Sequence, residues 1–142
     1  LQKALHTDAF VREYLAVVEG RMCGEGIIDL ALAKAEGATV RRCIDVVDGK
    51  AALTHYRVKQ TGNHRSLVYL RLITGRTHQI RVHLSSIGFP VTGDFLYGTE
   101  VLEMPGRFAL HSTRVLLKHP VKGHEIQISS PAPDVFYRLL ED

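Results

Sequence analysis

Two alternating runs separated by a turn constrain this fold more than any other feature of the sequence. In both ALTHYRVKQ and SLVYLRLI, apolar and polar residues alternate with the two-residue period of a strand. The segment TGNHR between them contains Gly62 and Asn63, which are typical turn residues. We therefore predict an antiparallel hairpin, in which one face of the second strand carries Val68, Leu70 and Leu72.

Three further runs are typical of strands, namely FVREYLAVVEG, RFALHSTRVLLKHP and EIQISS, and the turn HPVKGHE joins the last two. The first run places the following residues on one face: Phe10, Arg12, Tyr14, Ala16 and Val18. The glycine-rich segment GRMCGEGIIDLALAKAEGA has no sustained period and predicts a loop with short extended or helical pieces.

Helices are predicted at two places. Ile80, Leu84 and Ile87 recur at helical spacing, which predicts a short helix over 77–87 with Thr77 as its N-cap and a stop at Gly88 and Pro90. Near the C-terminus, Asp134 is predicted to cap a helix over VFYRLL. Hairpins with few helices and no βαβ alternation indicate one α+β domain over residues 1–142, with a mainly antiparallel, mixed sheet.

Composition excludes several classes of protein. No stretch reaches the length of a transmembrane helix, and no secretory signal is present, so we expect a cytoplasmic protein. Cys23 and Cys43 lack the spacing of a zinc site or a disulfide framework, and the histidines form no metal-ligand pattern. No glycine-rich phosphate loop supports a small nucleotide or phosphosugar enzyme. We expect no zinc site.

The distribution of charge indicates an anionic partner more strongly than the net charge of +3 does. No acid occurs between Asp48 and Asp94, an interval that contains Lys50, Arg57, Lys59, Arg65, Arg71, Arg76 and Arg81. One interpretation is a chance run of exposed cations. The interpretation we favour is a surface that binds a phosphate backbone.

Basic residues also crowd the positive end of the helix dipole over 77–87. Arg76, His78 and Arg81 lie where an acid would be favoured, so an anion is expected beside them. It could be a phosphate or a carboxylate from elsewhere in the fold. Arg81 lies close to the buried boundary and needs a partner, most commonly a carboxylate in a cleft. We interpret Asp94, in GDFLYG, as a turn-capping residue rather than a nucleophile.

The segment LRLITGRTHQIRVHLSSIGFPVTGDFLYG, with RFALHSTRVLLKHP and SPAPDVFYRLL after it, resembles the RluA-type family of RNA pseudouridine synthases. FVREYLAVVEG and GKAALTHYRV extend the resemblance over nearly all of the chain. It implies an isomerase that detaches uracil from C1′, turns it and rejoins it through C5, without metal or cofactor. The RNA would be ribosomal or transfer RNA, and we expect a monomer.

The resemblance also implies roles for individual residues. Tyr14 matches the tyrosine that stacks on the base and is a candidate proton acceptor, although a half-buried strand aromatic is the alternative. Arg81 matches the arginine that pairs with the catalytic aspartate. Leu110 matches the apolar residue under the uracil, a role compatible with core packing. Arg76 and His78 are expected to contact the RNA backbone or to brace the motif.

One part of the family pattern is missing. The catalytic aspartate belongs to a His-Arg-Leu-Asp motif followed by Thr-Ser-Gly, and these residues do not contain it. We therefore expect the chain to be the C-terminal portion of a catalytic domain, inactive by itself. Arg81 would then lack its partner, which predicts lowered stability or an ordered anion beside it. The alternative function is a non-catalytic RNA-binding module that uses the same basic cleft.

Overall fold

The computed structural model describes residues 10–37, 40–118 and 125–141. In these residues the strands are β1 (Phe10–Glu19), β2 (Glu25–Asp29), β3 (Leu32–Lys34), β4 (Arg42–Ile44), β5 (Leu53–Thr61), β6 (Arg65–Leu72), β7 (Leu110–Lys118) and β8 (Glu125–Ser129), and the helices are α1 (Gln79–Ser86) and α2 (Asp134–Leu140). The predicted α+β class is confirmed. The turn predicted at HPVKGHE falls almost entirely outside the described residues.

Six of these strands form one sheet in the order β2-β5-β6-β1-β7-β8, and β3 pairs with β4 in a separate hairpin. Every described strand pair is antiparallel. The predicted hairpin is confirmed as β5 and β6, and the strand predicted over FVREYLAVVEG is confirmed as β1 at the sheet's centre. The glycine-rich segment contributes short strands, β2 and β3, and no helix among its described residues.

The ladder between β1 and β7 contains a bulge. Glu13 lies opposite Arg114, but the next residue, Tyr14, lies opposite Ser112, so Thr113 is the extra residue of β7. After the bulge, Ala16 lies opposite Leu110. Residues opposite each other in an antiparallel pair point to the same face, so Leu110 shares the face of Tyr14 and Ala16.

The core lies on both faces of the sheet. On one face, α1 packs its buried Ile80 and Leu84 into a cluster that includes Val68 and Leu70 of β6. On the opposite face lies α2, whose Phe136 ring meets the His111 ring edge to face, with centroids 6.3 Å apart. The face covered by α1 is the one that carries the candidate site.

Both predicted helix starts need correction. Helix α1 begins at Gln79, and its N-cap is His78 rather than Thr77. His78 has φ 56° and ψ 20°, a left-handed conformation that cannot continue a helix toward Thr77. The predicted stop is confirmed, because Gly88 takes φ 92° directly after the helix. At α2 the N-cap is Pro133, and Asp134 is the first helical residue without a side-chain capping bond.

Two further properties concern the described part of the chain. Neither α1 nor α2 has the length or hydropathy needed to cross a membrane. No group of three or more His, Cys, Asp or Glu side chains there could hold a metal ion. Cys23 is exposed, Cys43 is half-buried, and both are free thiols.

Candidate active site

A cavity of about 420 Å³ lies on the α1 face of the sheet. Its lining includes all five site residues predicted from the sequence: Tyr14, Arg76, His78, Arg81 and Leu110. Six more lining residues were not predicted: Arg12, Leu72, Gly75, Gln79, Ile80 and Phe108. Residues that are far apart in the sequence therefore meet around one cavity.

Strand register brings Tyr14 and Leu110 to the cavity. Tyr14 lies opposite Leu70 on β6 and opposite Ser112 on β7, and its side chain is half-buried. Leu110 is half-buried at the start of β7. The two side chains form part of an apolar and aromatic wall to which Leu72, Ile80 and Phe108 also contribute. Such a wall suits a planar, largely apolar ligand face.

Arg81 is paired within the chain, which corrects the expectation of an uncompensated cation. Its Nε donates to Oδ2 of Asp94 at 2.9 Å, and its Nη2 donates to Oδ1 at 2.8 Å. Arg81 is 7% exposed and Asp94 is 0% exposed, so the two form a buried bidentate pair. The general inference that this arginine needs a carboxylate is confirmed, but the carboxylate is not missing from the chain.

The turn after α1 brings Asp94 to Arg81. Gly93 has φ 85°, and a Cβ at this position would lie 2.5 Å from the carbonyl oxygen of Arg107, so no other residue fits without strain. Oδ1 of Asp94 also accepts the backbone N–H groups of Leu96 at 3.0 Å and Tyr97 at 3.1 Å. The predicted turn-capping role of Asp94 is therefore confirmed.

The electrostatics of Asp94 favour its ionised form. Burial alone would raise the pKa of its carboxyl group. The hydrogen bonds from Arg81, Tyr97 and Leu96, together with the positive charge of Arg81, outweigh burial and hold the pKa below its ordinary value. The pair is thus a carboxylate and a guanidinium at neutral pH.

Three aromatic rings surround the Arg81 guanidinium. Its Cζ lies 4.0 Å from the ring centroid of Phe108, 5.2 Å from that of Tyr97 and 5.7 Å from that of Phe95. Contacts at these distances add cation–π attraction to the ion pair. They also restrict the guanidinium plane, so Arg81 is held from more than one direction.

His78 and Arg76 lie at the cavity with part of their bonding capacity already used. Nδ1 of His78 shares a hydrogen bond with the Tyr97 hydroxyl at 2.8 Å, and that hydroxyl also accepts the backbone N–H of Arg42 at 2.9 Å. Burial and the charges of Arg81 and Arg42 lower the pKa of His78. Nε of Arg76 donates to the carbonyl oxygen of Ala51 at 2.9 Å, which leaves the other guanidinium N–H groups for ligands.

Gln79 fixes the loop that precedes α1. Its Oε1 accepts the Thr74 hydroxyl at 2.7 Å and the backbone N–H of Arg76 at 3.0 Å, and its Nε2 donates to the carbonyl oxygen of Leu53 at 2.8 Å. The side chain is 2% exposed. Because this buried amide forms hydrogen bonds both to the loop and to β5, it anchors this wall of the cavity.

A second buried network continues from Gln79 into the protein. Nε2 of Gln79 also donates to Oγ1 of Thr54 at 2.8 Å, and Thr54 shares a 2.9 Å hydrogen bond with Nδ1 of His83. Nε2 of His83 lies 2.8 Å from the carbonyl oxygen of Leu30, which can only accept. Burial lowers the pKa of His83, although the Leu30 hydrogen bond and the charge of Asp29 act in the opposite direction.

A basic groove of about 470 Å³ adjoins the cavity and shares Gly75 and Arg76 with it. Four basic residues line this groove, namely Lys34, Arg42, Lys50 and Arg76, and Asp48 is the acid among its lining residues. The cations come from β3, β4, the loop before β5 and the loop between β6 and α1. The groove therefore presents a net positive surface directly beside the aromatic wall.

A family model described as RNA pseudouridylate synthase matches residues 1–86. Ribosomal large subunit pseudouridine synthase D from Vibrio parahaemolyticus is 36% identical over 155 residues, which cover 99% of this chain and 47% of that protein. The uncharacterized RNA pseudouridine synthase YjbO from Bacillus subtilis is 39% identical over 142 residues, which cover 99% of this chain and 50% of that protein. The chain spans about half the length of the curated relatives it matches.

A solved structure with the same family name is also similar to this chain. Human RNA pseudouridylate synthase domain containing 1 superposes with a TM-score of 0.76 and 31% identity, covering 92% of this chain and 58% of that one. Since the family model matches more than half of the 142 residues, this chain belongs to the RNA pseudouridylate synthase family.

Proposed function

We propose that this chain supplies part of the active site of an RNA pseudouridine synthase, an isomerase that converts uridine to pseudouridine in structured RNA. The observation that carries the proposal is the meeting of Tyr14, Arg81 and Leu110 around one cavity of about 420 Å³. Cavities of about 300–1,000 Å³ accommodate small molecules and single nucleotides. Family membership supports the same function.

The reaction requires a uridine to leave its base stack and enter a pocket. There the N1–C1′ bond breaks, the C5–C1′ bond forms, the C5 proton leaves and N1 takes up a proton. The ring of Tyr14 stacks on the uracil, and its hydroxyl oxygen is the proposed acceptor of the C5 proton. Leu110 packs against the base from the strand that borders Tyr14, which excludes water from the pocket.

Arg81 donates hydrogen bonds to groups that carry negative charge during the reaction. The resemblance assigns the catalytic aspartate to a His-Arg-Leu-Asp motif, which these 142 residues do not contain. We therefore propose that the chain, taken alone, binds RNA without isomerising it. The 142 residues act as one domain, the C-terminal portion of a catalytic domain, and no metal or cofactor takes part.

RNA is the proposed partner, with its backbone phosphates in the basic groove. Arg76 borders both the groove and the cavity, so a strand whose phosphates contact Arg76 places its neighbouring nucleotide at the Tyr14 wall. His78 contributes a second polar group at this border. Ribosomal RNA is favoured over transfer RNA because several relatives are named ribosomal large subunit pseudouridine synthase D. We propose a monomer that acts in the cytoplasm.

Tritium release tests this function. The complete protein, incubated with transcripts that carry [5-³H]uridine, should release tritium because the C5 proton is lost. Ribosomal and transfer RNA transcripts are compared, and the 142-residue chain is assayed in parallel for binding and release. Arg81→Ala in the complete protein should nearly abolish release while weakening RNA binding much less. Binding by the complete protein without release from any transcript would instead support the RNA-binding module.

A further inference from the structure

We propose that Asp94 is a positioning residue for the reaction: it holds one edge of the Arg81 guanidinium so that the opposite end is presented to the cavity. This inference rests on the proposed function for its kinetic test. Asp94 does not contact the cavity itself, since it is absent from the lining residues that Arg81 joins. It therefore acts through Arg81 rather than on the substrate.

The number of donors on a guanidinium supports this role. Arginine has five N–H groups in one plane, and Asp94 accepts two of them, one from Nε and one from Nη2. Three N–H groups remain, two on Nη1 and one on Nη2. Among the described residues, Nη1 of Arg81 has no hydrogen-bond acceptor. One N–H of Nη1 and the remaining N–H of Nη2 form the end-on fork that a second acceptor, such as a carboxylate or a uracil carbonyl, can occupy.

The orientation is fixed because Asp94 is itself fixed. Its Oδ1 accepts two backbone N–H groups of the turn at Leu96 and Tyr97 while it accepts Nη2 of Arg81. The ring of Phe108, at 4.0 Å from Cζ, restricts the guanidinium plane from a further direction. Rotation of the guanidinium away from the cavity would break the hydrogen bonds and the ring contact together.

The pairing also determines what Arg81 offers to a ligand. Because the Asp94 carboxylate compensates its charge, Arg81 presents directed N–H groups with little net charge. Phosphate attraction is left to the exposed cations of the basic groove. Arg81 would therefore contribute to turnover more than to RNA affinity. Substitution of Asp94 should likewise lower kcat more than it changes KM for RNA.

Kinetics of the complete protein test the proposal. Asp94→Asn should keep the size of the side chain and its turn cap but lose one of the two guanidinium bonds. We expect kcat for tritium release to fall about 100-fold while KM for RNA changes by less than about threefold. The matched control is Asp45→Asn, because Oδ1 of Asp45 also accepts two backbone N–H groups, from Val47 and Asp48, without an arginine. This control should retain wild-type kcat.

A double variant separates positioning from a purely structural role. If Asp94 acts through Arg81, Arg81→Ala with Asp94→Asn should be no slower than Arg81→Ala alone. The proposal would be overturned if the two substitutions lowered kcat independently, so that the double variant was slower than Arg81→Ala by the factor that Asp94→Asn causes alone. It would also be overturned if Asp94→Asn had the same kcat as Asp45→Asn. Absence of release by the unmodified protein would count against the proposed function instead, and the inference would then be decided by a measurement that needs no turnover.

That measurement is hydrogen exchange of the Arg81 Nε–H group, observed by nitrogen-15 NMR in the unmodified protein. It requires no variant to fold. The exposed Arg71, on the opposite face of the sheet, is the internal control. We expect the Arg81 proton to exchange at least about tenfold more slowly, because it is buried and donated to Asp94. Equal exchange rates for the two arginines would overturn the proposal.

Discussion

Oγ1 of Thr54 on β5 and Nδ1 of His83 on α1 lie 2.9 Å apart, and both side chains are fully buried. Nε2 of His83 donates to the carbonyl oxygen of Leu30, so in the neutral ring Nδ1 accepts the Thr54 hydroxyl proton. A second proton on Nδ1 would occupy the lone pair that accepts the Thr54 O–H, and that hydroxyl proton would lose its acceptor. The folded protein therefore favours neutral His83.

The first prediction concerns pH and stability. The folded pKa of His83 lies below its ordinary value of 6.5, so the unfolded chain binds a proton at a higher pH than the folded chain does. As far as His83 determines it, the free energy of unfolding is therefore highest above pH 6.5, where the ring is neutral in both states. It decreases as the pH falls toward the folded pKa, because the unfolded chain is protonated first. His83→Gln, whose amide can still donate to Leu30, should flatten the dependence of the unfolding free energy on pH.

Urea denaturation at several pH values between about 5 and 7.5 measures this effect. The exposed His64 provides the matched control, and His64→Gln should keep the wild-type dependence. Equal pH dependence in wild type and in His83→Gln would contradict the prediction.

The second prediction concerns the buried pair of Arg81 and Asp94. Arg81→Met leaves the Asp94 carboxylate buried without its cation, which should lower the unfolding free energy by about 3–5 kcal/mol. Adding Asp94→Asn removes the charge but keeps a cap for the turn, so the double variant should be more stable than Arg81→Met alone. Urea denaturation at neutral pH measures Arg81→Met, Asp94→Asn, the double variant and the wild type. Additive effects of the two substitutions would show that the pair is not energetically coupled.

The third prediction separates two roles of Tyr14. Tyr14→Phe keeps the ring and removes the hydroxyl, so the complete protein should bind RNA normally while tritium release slows by about 100-fold or more. Tyr14→Leu should lose binding as well as turnover. The control is Tyr69→Phe, because Tyr69 lies opposite Leu15 and therefore on the other face of the sheet. Normal release by Tyr14→Phe would exclude the hydroxyl as proton acceptor.

The fourth prediction concerns Arg76 and the RNA backbone. Arg76→Ala should weaken binding to all RNA sequences similarly and make the plot of log affinity against log salt less steep by about 1. Fluorescence anisotropy over a range of salt concentrations measures the slope. Arg71→Ala, an exposed arginine on the face away from the groove, is the matched control and should leave the slope unchanged. Identical slopes for both variants would contradict a phosphate contact at Arg76.

Local patterns predicted the framework of the fold well. Alternation and the Gly62–Asn63 turn are sufficient for the β5–β6 hairpin, because register and face both follow from a two-residue period. The start of α1 was predicted wrongly because Thr77 has the chemistry of a cap, whereas the left-handed conformation of His78 depends on its tertiary surroundings. Gln79 holds this loop through bonds to Thr74, Arg76 and Leu53, and no local pattern specifies these three partners.

The partner of Arg81 was missed for a related reason. The family resemblance directed attention to an aspartate outside these residues, while the partner found lies 13 positions along the chain. A signal was present, because Asp94 is the first acid after Asp48 and follows a glycine. Its meaning depends on the turn at Gly93, which no periodicity describes. Phe108 was missed similarly, since only the folded loop before β7 brings it to Arg81.

The extra residue in β7 determines the chemistry of the cavity wall. If the ladder continued regularly from Glu13 and Arg114, Ala16 would lie opposite His111, and an imidazole would face the cavity in place of Leu110. The bulge at Thr113 instead sends His111 to the opposite face, against Phe136. The bulge thus keeps a proton-exchanging group away from the proposed uracil site, and a regular ladder that paired Thr113 with Tyr14 would alter the acid-base character of the site without replacing any of its residues.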